Sequence, residues 1–488
     1  MGGTGLQTTG RKLAFIAVTA GFVAAAGIVT GLTVVEAPLL AWGLVGLVAA
    51  VLLMLAPAHV RVGVTVLTAV GSRLLVATGY VSSFANFVHY PLALSVALIA
   101  AVESPRRFPI RRPLEIGLIG LLLVSLASWL VNGGQVIRPF LDWLVFSEPL
   151  LIVYAIVTVP PAGARKGFLW TLALAIPFAQ LPLAVYQTLT FGFSDPVQGF
   201  FIGMGSGAHV AAAVSLVGSL VCFARGLSPD KTGSVVYWLI GGVTLLSVPI
   251  LTEAKQIVIV FLPAIILVLV SSGRPRASWL IVALPILGAL WFALVTLQPL
   301  QKLLDWRLIS QGVLGKVATF SLIEARLSAG WTHWLLGLGP GNSVSRLSLM
   351  GLDAFVKHDS PIYLLGLAPA ATTIELWNLT ASNRLFASSS AWSFVSSWLG
   401  LLGDLGLAGL TAFAWMQVML WGNLRRRFGW EQSAARAVIL MMMLLAFVYS
   451  WLEEPGFTMT AALVIGLGCL AGERGRDSLR GEGSGAGP

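Results

Sequence analysis

Charged residues are scarce in this sequence. Asp, Glu, Lys and Arg make up only 10% of its 488 residues, against about 25% in an ordinary soluble domain. Hydrophobic side chains make up 57%. Such a composition excludes a soluble globular protein and predicts a polytopic membrane protein of the all-α class.

Cysteine and histidine are scarce as well. The two cysteines, Cys222 and Cys469, lie far apart inside apolar runs, which argues against a disulfide framework or a thiolate metal site. No pair among the five histidines has the HExxH spacing or another zinc-ligand spacing. We therefore expect no metal and no other cofactor.

The formal charge of +10 comes from 30 basic and 20 acidic residues. The basic residues are spread over short loops and do not form one patch interleaved with aromatics, so we expect no nucleic-acid partner. Near the start, Arg11 and Lys12 precede an apolar stretch that lacks a convincing cleavage site. This predicts a membrane anchor and not a removed signal peptide.

Apolar runs of about 20 residues, the length that crosses the hydrocarbon core, follow one another along the chain. They predict a transmembrane helix bundle of about twelve to fourteen spans surrounded by membrane lipids. The candidate spans are 13–32, 37–57, 60–80, 85–102, 114–132, 139–160, 168–190, 207–224, 235–252, 256–272, 278–297, 391–421, 436–452 and 457–471. The pattern shows no pair of matched broken helices, which an inverted-repeat transporter would have.

One long polar interruption, residues 298–389, separates a first bundle segment, 1–297, from the remaining spans in 390–473. Because each span crosses the membrane, alternate loops lie on the same side of it, and most basic residues fall in the loops of one side. By the positive-inside rule that side is cytoplasmic. Both termini are then cytoplasmic, and the interruption is a large extracytoplasmic loop of short helices. Residues 474–488, rich in Gly, Ser and charge, predict a disordered cytoplasmic tail.

The long loop holds most of the polar groups that topology leaves unexplained. Arg326 lies in a segment with helical spacing and an apolar face, where it is either part of a solvated helix face or a ligand contact. The following run, Gly337-Leu338-Gly339-Pro340-Gly341-Asn342, allows positive φ and close backbone approach. Its amide groups fit an anion site, and the run fits a helix C-cap equally well. It lacks the Gly-Lys-Ser/Thr ending of a Walker A loop.

Two basic residues outside the long loop are further candidates. Lys255, in a turn between two apolar spans, is either a lysine at a helix end or a cation used on the outer side, with Glu253 close enough to neutralise it. Arg73 lies inside the third span, where a charge needs a partner. A structural ion pair with Asp142 or Glu148 is the favoured interpretation, and a ligand contact is the alternative.

Three acidic residues and one histidine are the remaining residues with a possible functional role. Asp404 interrupts an apolar run, and Glu453 and Glu454 occupy a short outer turn where simple solvation explains them. In the long loop, His358 stands next to Asp359. This imidazole is either a solvated loop side chain or a proton acceptor, since histidine titrates near neutral pH.

The order of these features resembles the O-antigen ligase and Wzy-type polymerase superfamily. The resemblance covers about residues 195–410 and rests on Gln198-Gly199, the turn from Leu251 to Lys255, Arg326 with Trp331, the turn from Leu336 to Asn342, and the run Leu402-Gly403-Asp404-Leu405-Gly406-Leu407-Ala408-Gly409. Each motif is short, and the specificity comes from their order, spacing and predicted outward topology.

The resemblance implies a GT-C-type membrane glycosyltransferase in the bacterial cytoplasmic membrane. It would move a glycan from an undecaprenyl-pyrophosphate donor to a hydroxyl of a glycan or lipid acceptor on the outer face, as a ligase or as a polymerase in cell-surface polysaccharide biosynthesis. It would need no metal, so fixed cations must stabilise the leaving pyrophosphate. By the match these are Lys255 and Arg326, with Arg346 and Arg73 as further candidates.

The same match assigns the loop turn to Gly339, Gly341 and Asn342. Two positions depart from the family pattern: Lys255 stands where arginine is usual, which loses the bidentate fork, and Val395 stands where many ligases have a histidine. His358 is the substitute considered for that histidine, so His358 and Arg326 are the catalytic candidates. The alternatives are a transporter or flippase of lipid-linked glycans, a SEDS-type polymerase, and a scaffold without catalytic function.

Overall fold

The computed structural model of the chain describes residues 55–78, 83–103, 109–192, 197–203, 206–228, 235–252, 254–271, 306–356, 367–381, 395–425 and 429–471. All regular structure within these ranges is helical. The expected all-α class is therefore confirmed for the described part of the chain. The candidate spans 13–32 and 278–297, nearly all of 37–57, and the tail lie outside the described residues.

The described α-helices are numbered here in chain order. They are α1 (Ala58–Ala77), α2 (His89–Glu103), α3 (Arg111–Asn132), α4 (Arg138–Thr158), α5 (Ala164–Phe191), α6 (Gly207–Gly226), α7 (Val235–Leu245), α8 (Ser247–Leu251), α9 (Lys255–Ser271), α10 (Trp306–Leu327), α11 (Trp331–Leu336), α12 (Arg346–Val356), α13 (Ala371–Ala381), α14 (Ser397–Arg425), α15 (Trp430–Val448) and α16 (Pro455–Ala471). Short 3₁₀ turns cover Ser83–Phe87 and Trp451–Glu453.

Eight described helices are long and apolar enough to cross a membrane: α1, α2 with its preceding turn, α3, α4, α5, α6, α14 and α15. Shorter apolar helices include α16 and the segment 235–251. The protein is therefore a multi-pass membrane protein. The segment 235–252 was predicted as one span, but in the structure it is broken into the two helices α7 and α8. Pro249 has no N–H to continue the helix, which accounts for the break.

The centre of the bundle is formed by α4, α6, α15 and α16. The apolar window of α6 is buried along its whole length, and α16 is buried almost throughout. Both helices are rich in small residues, which allow close helix packing in membrane proteins. In contrast, α3 lies at the periphery, since Ile116, Ile119 and Leu123 are exposed on it.

The two ends of the bundle differ in chemistry. At one end Arg61 pairs with Glu103 at 2.7 Å, and Lys166 of α5 pairs with Glu431 of α15 at 2.6 Å. At the other end lie the starts of α4, α14 and α16. They meet the helices α10 to α13, which belong to the polar interruption 298–389, and the turn 449–454. We call this second end the polar end. It holds the Gly-rich turn and the residues discussed below.

Candidate functional site

Two motifs that are far apart in sequence lie in backbone contact at the polar end. Helix α11 ends at Leu336 with Gly337 as its C-cap, and the next residue, Leu338, donates its N–H to the carbonyl of Gly403 at 2.7 Å. Helix α14 is interrupted at Gly406, whose φ of 65° and ψ of −164° are not helical. The backbone of Leu335 to Gly337 packs into this interruption with no space for a Cβ at Gly406. The Gly-rich turn and the Asp-Leu-Gly run are therefore one packed unit.

The Gly-rich turn has the positive φ angles that its sequence predicts. Gly339 has a φ of 105° and Gly341 a φ of 68°. Asn342 closes the turn, since its side-chain amide donates to the carbonyl of Leu338 at 3.0 Å. Arg138, at the start of α4, donates to the side chain of Asn342 and to the carbonyl of Ala368. Sequence reasoning did not select Arg138, although a basic residue in a short loop of the predicted outer side was a signal for it.

Asp404 is the carboxyl group that the backbone after this turn binds. Its Oδ1 accepts the Ser343 N–H at 2.8 Å and the Ser343 hydroxyl at 2.6 Å. Its backbone carbonyl accepts the Ser128 hydroxyl of α3 at 2.8 Å. Because Asp404 uses the Ser343 amide, that amide serves to attach the turn to α14. Anion binding by the turn's other amides stays a prediction.

Three buried carboxyl groups meet beside this turn. Asp142 of α4 interacts electrostatically with Asp404 and Glu453, and all three side chains are buried. Neither carboxyl oxygen of Asp142 accepts a hydrogen bond from a backbone, hydroxyl, amide or cationic donor among the described residues, and the Asp142 side chain lies close enough to the Asp404 carboxyl group to share a hydrogen bond with it. The described part of the chain contains no group of three or more His, Cys, Asp or Glu side chains arranged to hold a metal ion. A carboxyl group so placed in a membrane protein is a candidate for a functional role.

Glu453 and Glu454 are buried, so the expectation that they are simply solvated is wrong. The physical reason is that Arg346 of α12 lies against their turn. The Arg346 N–H donates to Glu453 Oε2 at 2.5 Å, and its guanidinium lies 2.5 Å from Glu454 Oε1. Burial acts to lower the pKa of Arg346, but the attraction of the Glu454 carboxylate is stronger than this effect. The pKa of Arg346 is therefore raised. The charge of Arg346 is therefore balanced inside the protein, and its binding of a donor phosphate stays a prediction.

Arg326 is accessible at the surface of the polar end. Its side chain is 50% exposed and pairs at 2.7 Å with Glu375 of α13, which is 44% exposed. An exposed pair of this kind stabilises a protein by at most about 1 kcal/mol. Trp331, which follows α10, has 75% of its surface exposed. The arginine and tryptophan of the motif are thus both available to an outside ligand.

The other predicted site residues are placed as follows. Lys255 begins α9, and its side chain lies outside the described part of the structure, as do His358 and its neighbour Asp359. Arg73 is half-buried in α1. Of the two carboxyl groups considered for Arg73, Glu148 pairs with His89 of α2, and Asp142 lies in the carboxyl cluster. The roles of these residues stay predictions.

Lys316 of α10 is a residue that sequence reasoning missed. Its amine donates to the backbone carbonyl of Val395 at 2.6 Å, and burial lowers the pKa of Lys316 to about 7. Val395 is the position where the resemblance leads one to expect a histidine. The two residues are 79 positions apart, and no local pattern links them, so the sequence held no signal for this contact.

Replacing Glu453 with glutamine is expected to change the pH dependence of stability. Burial raises the pKa of Glu453 from 4.5 to about 8; the Arg346 N–H opposes the rise and Asp404 adds to it. The folded protein thus keeps a proton that the unfolded chain releases, and it loses stability as the pH rises between these values. Glutamine keeps an oxygen for the Arg346 N–H and cannot ionise.

Thermal unfolding of both proteins in detergent, between about pH 5 and pH 9, measures this difference. The glutamine variant should gain stability relative to wild type as the pH rises towards 8, and the gain should level off above it. A difference in stability that is constant across the range would show that Glu453 does not titrate in this way.

Comparison with known proteins gives no match, either to a protein-family model or to a curated protein.

Proposed function

We propose that the chain is a membrane glycosyltransferase that moves a glycan from a polyprenyl-pyrophosphate donor to an acceptor hydroxyl. The observation that carries the proposal is the direct contact between the two motifs on which the family resemblance rests. Leu338 of the Gly-rich turn bonds to Gly403, and Asp404 bonds to Ser343 just after that turn. The two motifs are therefore packed against each other, which supports the proposal that they belong to one site.

The charge at the surface of this site suits the proposed chemistry. A pyrophosphate leaving group gains negative charge in the transition state, and a site without metal needs fixed cations there. The Arg326 guanidinium is half exposed and pairs with a carboxylate that is itself 44% exposed, so a donor phosphate can replace Glu375 as its partner. Trp331, which follows Arg326 in the family motif, offers an exposed ring for an apolar or sugar face of the ligand.

The distribution of charge supports an outward-facing site in the cytoplasmic membrane. Arg61, Lys166 and Arg225 all lie at the end of the bundle opposite the polar end, and Arg225 stacks 4.5 Å above the ring of Trp430. Basic residues of membrane proteins concentrate on the cytoplasmic side. The polar end is then extracytoplasmic, where lipid-linked glycans are joined to their acceptors.

Replacing Arg326 with alanine tests the proposal directly. We expect glycan transfer to fall by a factor of about 10² to 10³, the usual effect of removing one donor that stabilises transition-state charge. The measurement is the amount of surface glycan and of accumulated lipid-linked glycan in a strain that lacks the native gene and expresses the variant. Unchanged transfer in this strain would remove Arg326 from the site.

Two matched variants separate the loss of this cation from general damage. Glu375→Gln removes the partner of Arg326 and keeps the cation, so transfer should persist. Arg165→Ala removes an exposed cation from the start of α5, at the opposite end of the bundle, and should also leave transfer unchanged. Equal losses in all three variants would indicate that surface charge in general, and not Arg326, is responsible.

A transporter or flippase of lipid-linked glycans is the second candidate function, because a buried carboxyl group such as Asp142, which lies against Asp404 and Glu453, is a feature that ion-coupled transporters use. Asp142 lies only about 6 Å along α4 from its first residue, by the rise of a helix, and the site is thus near one end and not at the midplane. In a deletion strain, lipid-linked glycan accumulates on the outer face if a transferase is missing and on the inner face if a transporter is missing. A non-permeant lectin added to spheroplasts distinguishes these outcomes.

A further inference from the structure

Arg436 of α15 is a buried cation at the end of the bundle opposite the polar end. Only 7% of its surface is exposed. Its Nε donates to the backbone carbonyl of Gln432 at 3.4 Å, whereas its Nη2 is buried and has no hydrogen-bond partner among the described residues. A buried charge in a membrane helix is costly and is normally paired. Arg436 therefore lacks the anion that such a cation needs.

The charged side chain that interacts with Arg436 is a second arginine. Arg425, at the end of α14, repels the charge of Arg436. Within the described part of the chain, neither arginine takes part in an ion pair. Glu431, an acid near the start of α15, pairs with Lys166 at 2.6 Å. On the last turn of α14, the side-chain NH₂ of Asn423 is also buried without an acceptor among the residues described. This end thus has donors and positive charge in excess of acceptors.

Arg425 makes the region accessible from outside the bundle, because its side chain is exposed. Val418, two turns earlier on α14, is 62% exposed, and a Cβ at Gly422 would meet no atom within 4 Å. The three residues share one face of the helix, since they are spaced as i, i+4 and i+7. A ligand can therefore reach Arg425 along this face, and the charge of Arg436 lies within electrostatic range of it.

Tryptophan rings place this region at the membrane surface. Trp430, the first residue of α15, packs against Trp170 of α5 with ring centroids 4.7 Å apart, and Arg225 lies 4.5 Å from the centroid of the Trp430 ring. Tryptophan concentrates at the headgroup level of a bilayer. Arg436 follows Trp430 by about 9 Å along the helix axis, a distance that an arginine side chain covers in large part by extending towards the headgroups. The anions at this level are phosphate groups.

We propose that Arg436 and Arg425 bind a phosphate group at the end of the bundle opposite the polar end. Guanidinium groups bind phosphate oxygens through charge-assisted, often bidentate hydrogen bonds. The phosphate balances both charges and gives the buried Nη2 of Arg436 an acceptor. An anionic phospholipid of the surrounding membrane and free phosphate share this chemistry. The site lies far from Arg326 and does not depend on the proposed glycosyl transfer.

The test uses the full-length protein in dodecyl maltoside, a detergent that contains no phosphate. The probes are phosphatidylglycerol, diacylglycerol with the same acyl chains, and inorganic phosphate. The readout is the unfolding midpoint as a function of probe concentration, from which an apparent affinity follows. We expect phosphatidylglycerol to raise the midpoint of wild type and diacylglycerol to leave it unchanged, because the bound group is the phosphate.

Arg436→Gln removes the charge and keeps a side-chain donor. We expect its apparent affinity for phosphatidylglycerol to fall by a factor of about 10 to 100, the usual effect of losing a hydrogen bond between charged groups. Arg436→Lys should keep part of the affinity, since it retains the charge and loses the planar fork. Without any probe, Arg436→Gln should be at least as stable as wild type, because a buried charge without a partner is removed.

Two further variants complete the comparison. Arg425→Gln changes an exposed side chain and leaves the core intact, so it keeps the test valid even if Arg436→Gln fails to fold. Its affinity for phosphatidylglycerol should also fall, and an unchanged affinity would overturn the proposal. Arg165→Gln is the matched control, because it removes an exposed arginine at the start of α5, at the same end of the bundle. Its affinity should match wild type.

Inorganic phosphate separates the two sources of the ligand. A shift with inorganic phosphate that is lost in Arg436→Gln identifies free phosphate as a ligand, and a shift with phosphatidylglycerol alone identifies the lipid; both results support the site. The absence of a shift with either probe would overturn it, as would an equal shift in wild type and Arg436→Gln. Equal losses in Arg165→Gln and Arg436→Gln would also overturn it, since the net charge of this end would then be the cause.

Discussion

Arg346→Met is expected to destabilise the protein by about 3 to 5 kcal/mol, the usual cost of removing one partner from a buried ion pair. The guanidinium lies 2.5 Å from Glu454 Oε1 and donates to the backbone carbonyl of Glu453 at 2.9 Å. Methionine has a similar length but no charge, so the Glu454 carboxylate would stay buried without its partner. The unfolding midpoint in detergent, with denaturant or heat, measures this loss.

The surface pair of Arg326 and Glu375 is the matched control for this experiment. Both pairs join an arginine to a glutamate at close range, but the surface pair is about half exposed. Removing Arg326 should therefore change stability by at most about 1 kcal/mol. A second comparison is the double variant Arg346→Met with Glu454→Gln, which should recover part of the loss because no charge is left unpaired. If Arg346→Met and the removal of Arg326 lowered the stability equally, Arg346 and Glu454 would not form a buried pair.

Gly406→Ala is expected to prevent the Gly-rich turn from docking on α14. At Gly406 the backbone has a φ of 65° and a ψ of −164°, a region that is essentially restricted to glycine and costs other residues about 1 to 3 kcal/mol. A Cβ would also lie 2.5 Å from the backbone nitrogen of Gly337. The hydrogen bond from Leu338 to Gly403 holds the two backbones together, so moving one of them away to make room would weaken this bond. We expect a loss of more than about 4 kcal/mol, which marks a severe defect.

The glycine at position 120 provides the control for this substitution. Gly120 lies inside α3, and a Cβ there would meet no atom within 4 Å. Alanine has a higher helix propensity than glycine by up to about 1 kcal/mol, so Gly120→Ala should cause no loss of stability. Limited proteolysis of the segment around α11, together with unfolding in detergent, compares the two variants. A Gly406 variant as stable and as protected as the Gly120 variant would contradict the packing described for the turn.

The sequence predicted the spans well because a membrane span is a local property. About 20 apolar residues in a row are sufficient to specify such a helix, and the described helices begin and end within a few residues of most predicted spans. The positive φ angles of Gly339 and Gly341 were also predictable, since glycine is the residue that tolerates them. In both cases the determining residues are neighbours in the chain.

The partners of the charged residues could not be predicted in the same way. Glu453 and Glu454 look like solvated turn residues in the sequence, but they are buried because Arg346, about 100 positions earlier, packs against them. Asp404 was recognised as part of a motif, whereas its bond to Ser343 depends on how α14 lies against the turn. Burial and ion pairing depend on contacts between distant segments, which local patterns do not specify.

The sequence by itself therefore determined the class of the protein, a helical membrane bundle, and the residue types available for chemistry. Only the tertiary structure decided which of them meet. It placed the Gly-rich turn on the interrupted helix α14, buried Arg346 in an ion pair, left Arg326 accessible, and set the Lys316 amine against Val395. The physical reason is that hydrophobic length acts within one segment, whereas desolvation and charge pairing arise only when separate segments pack together.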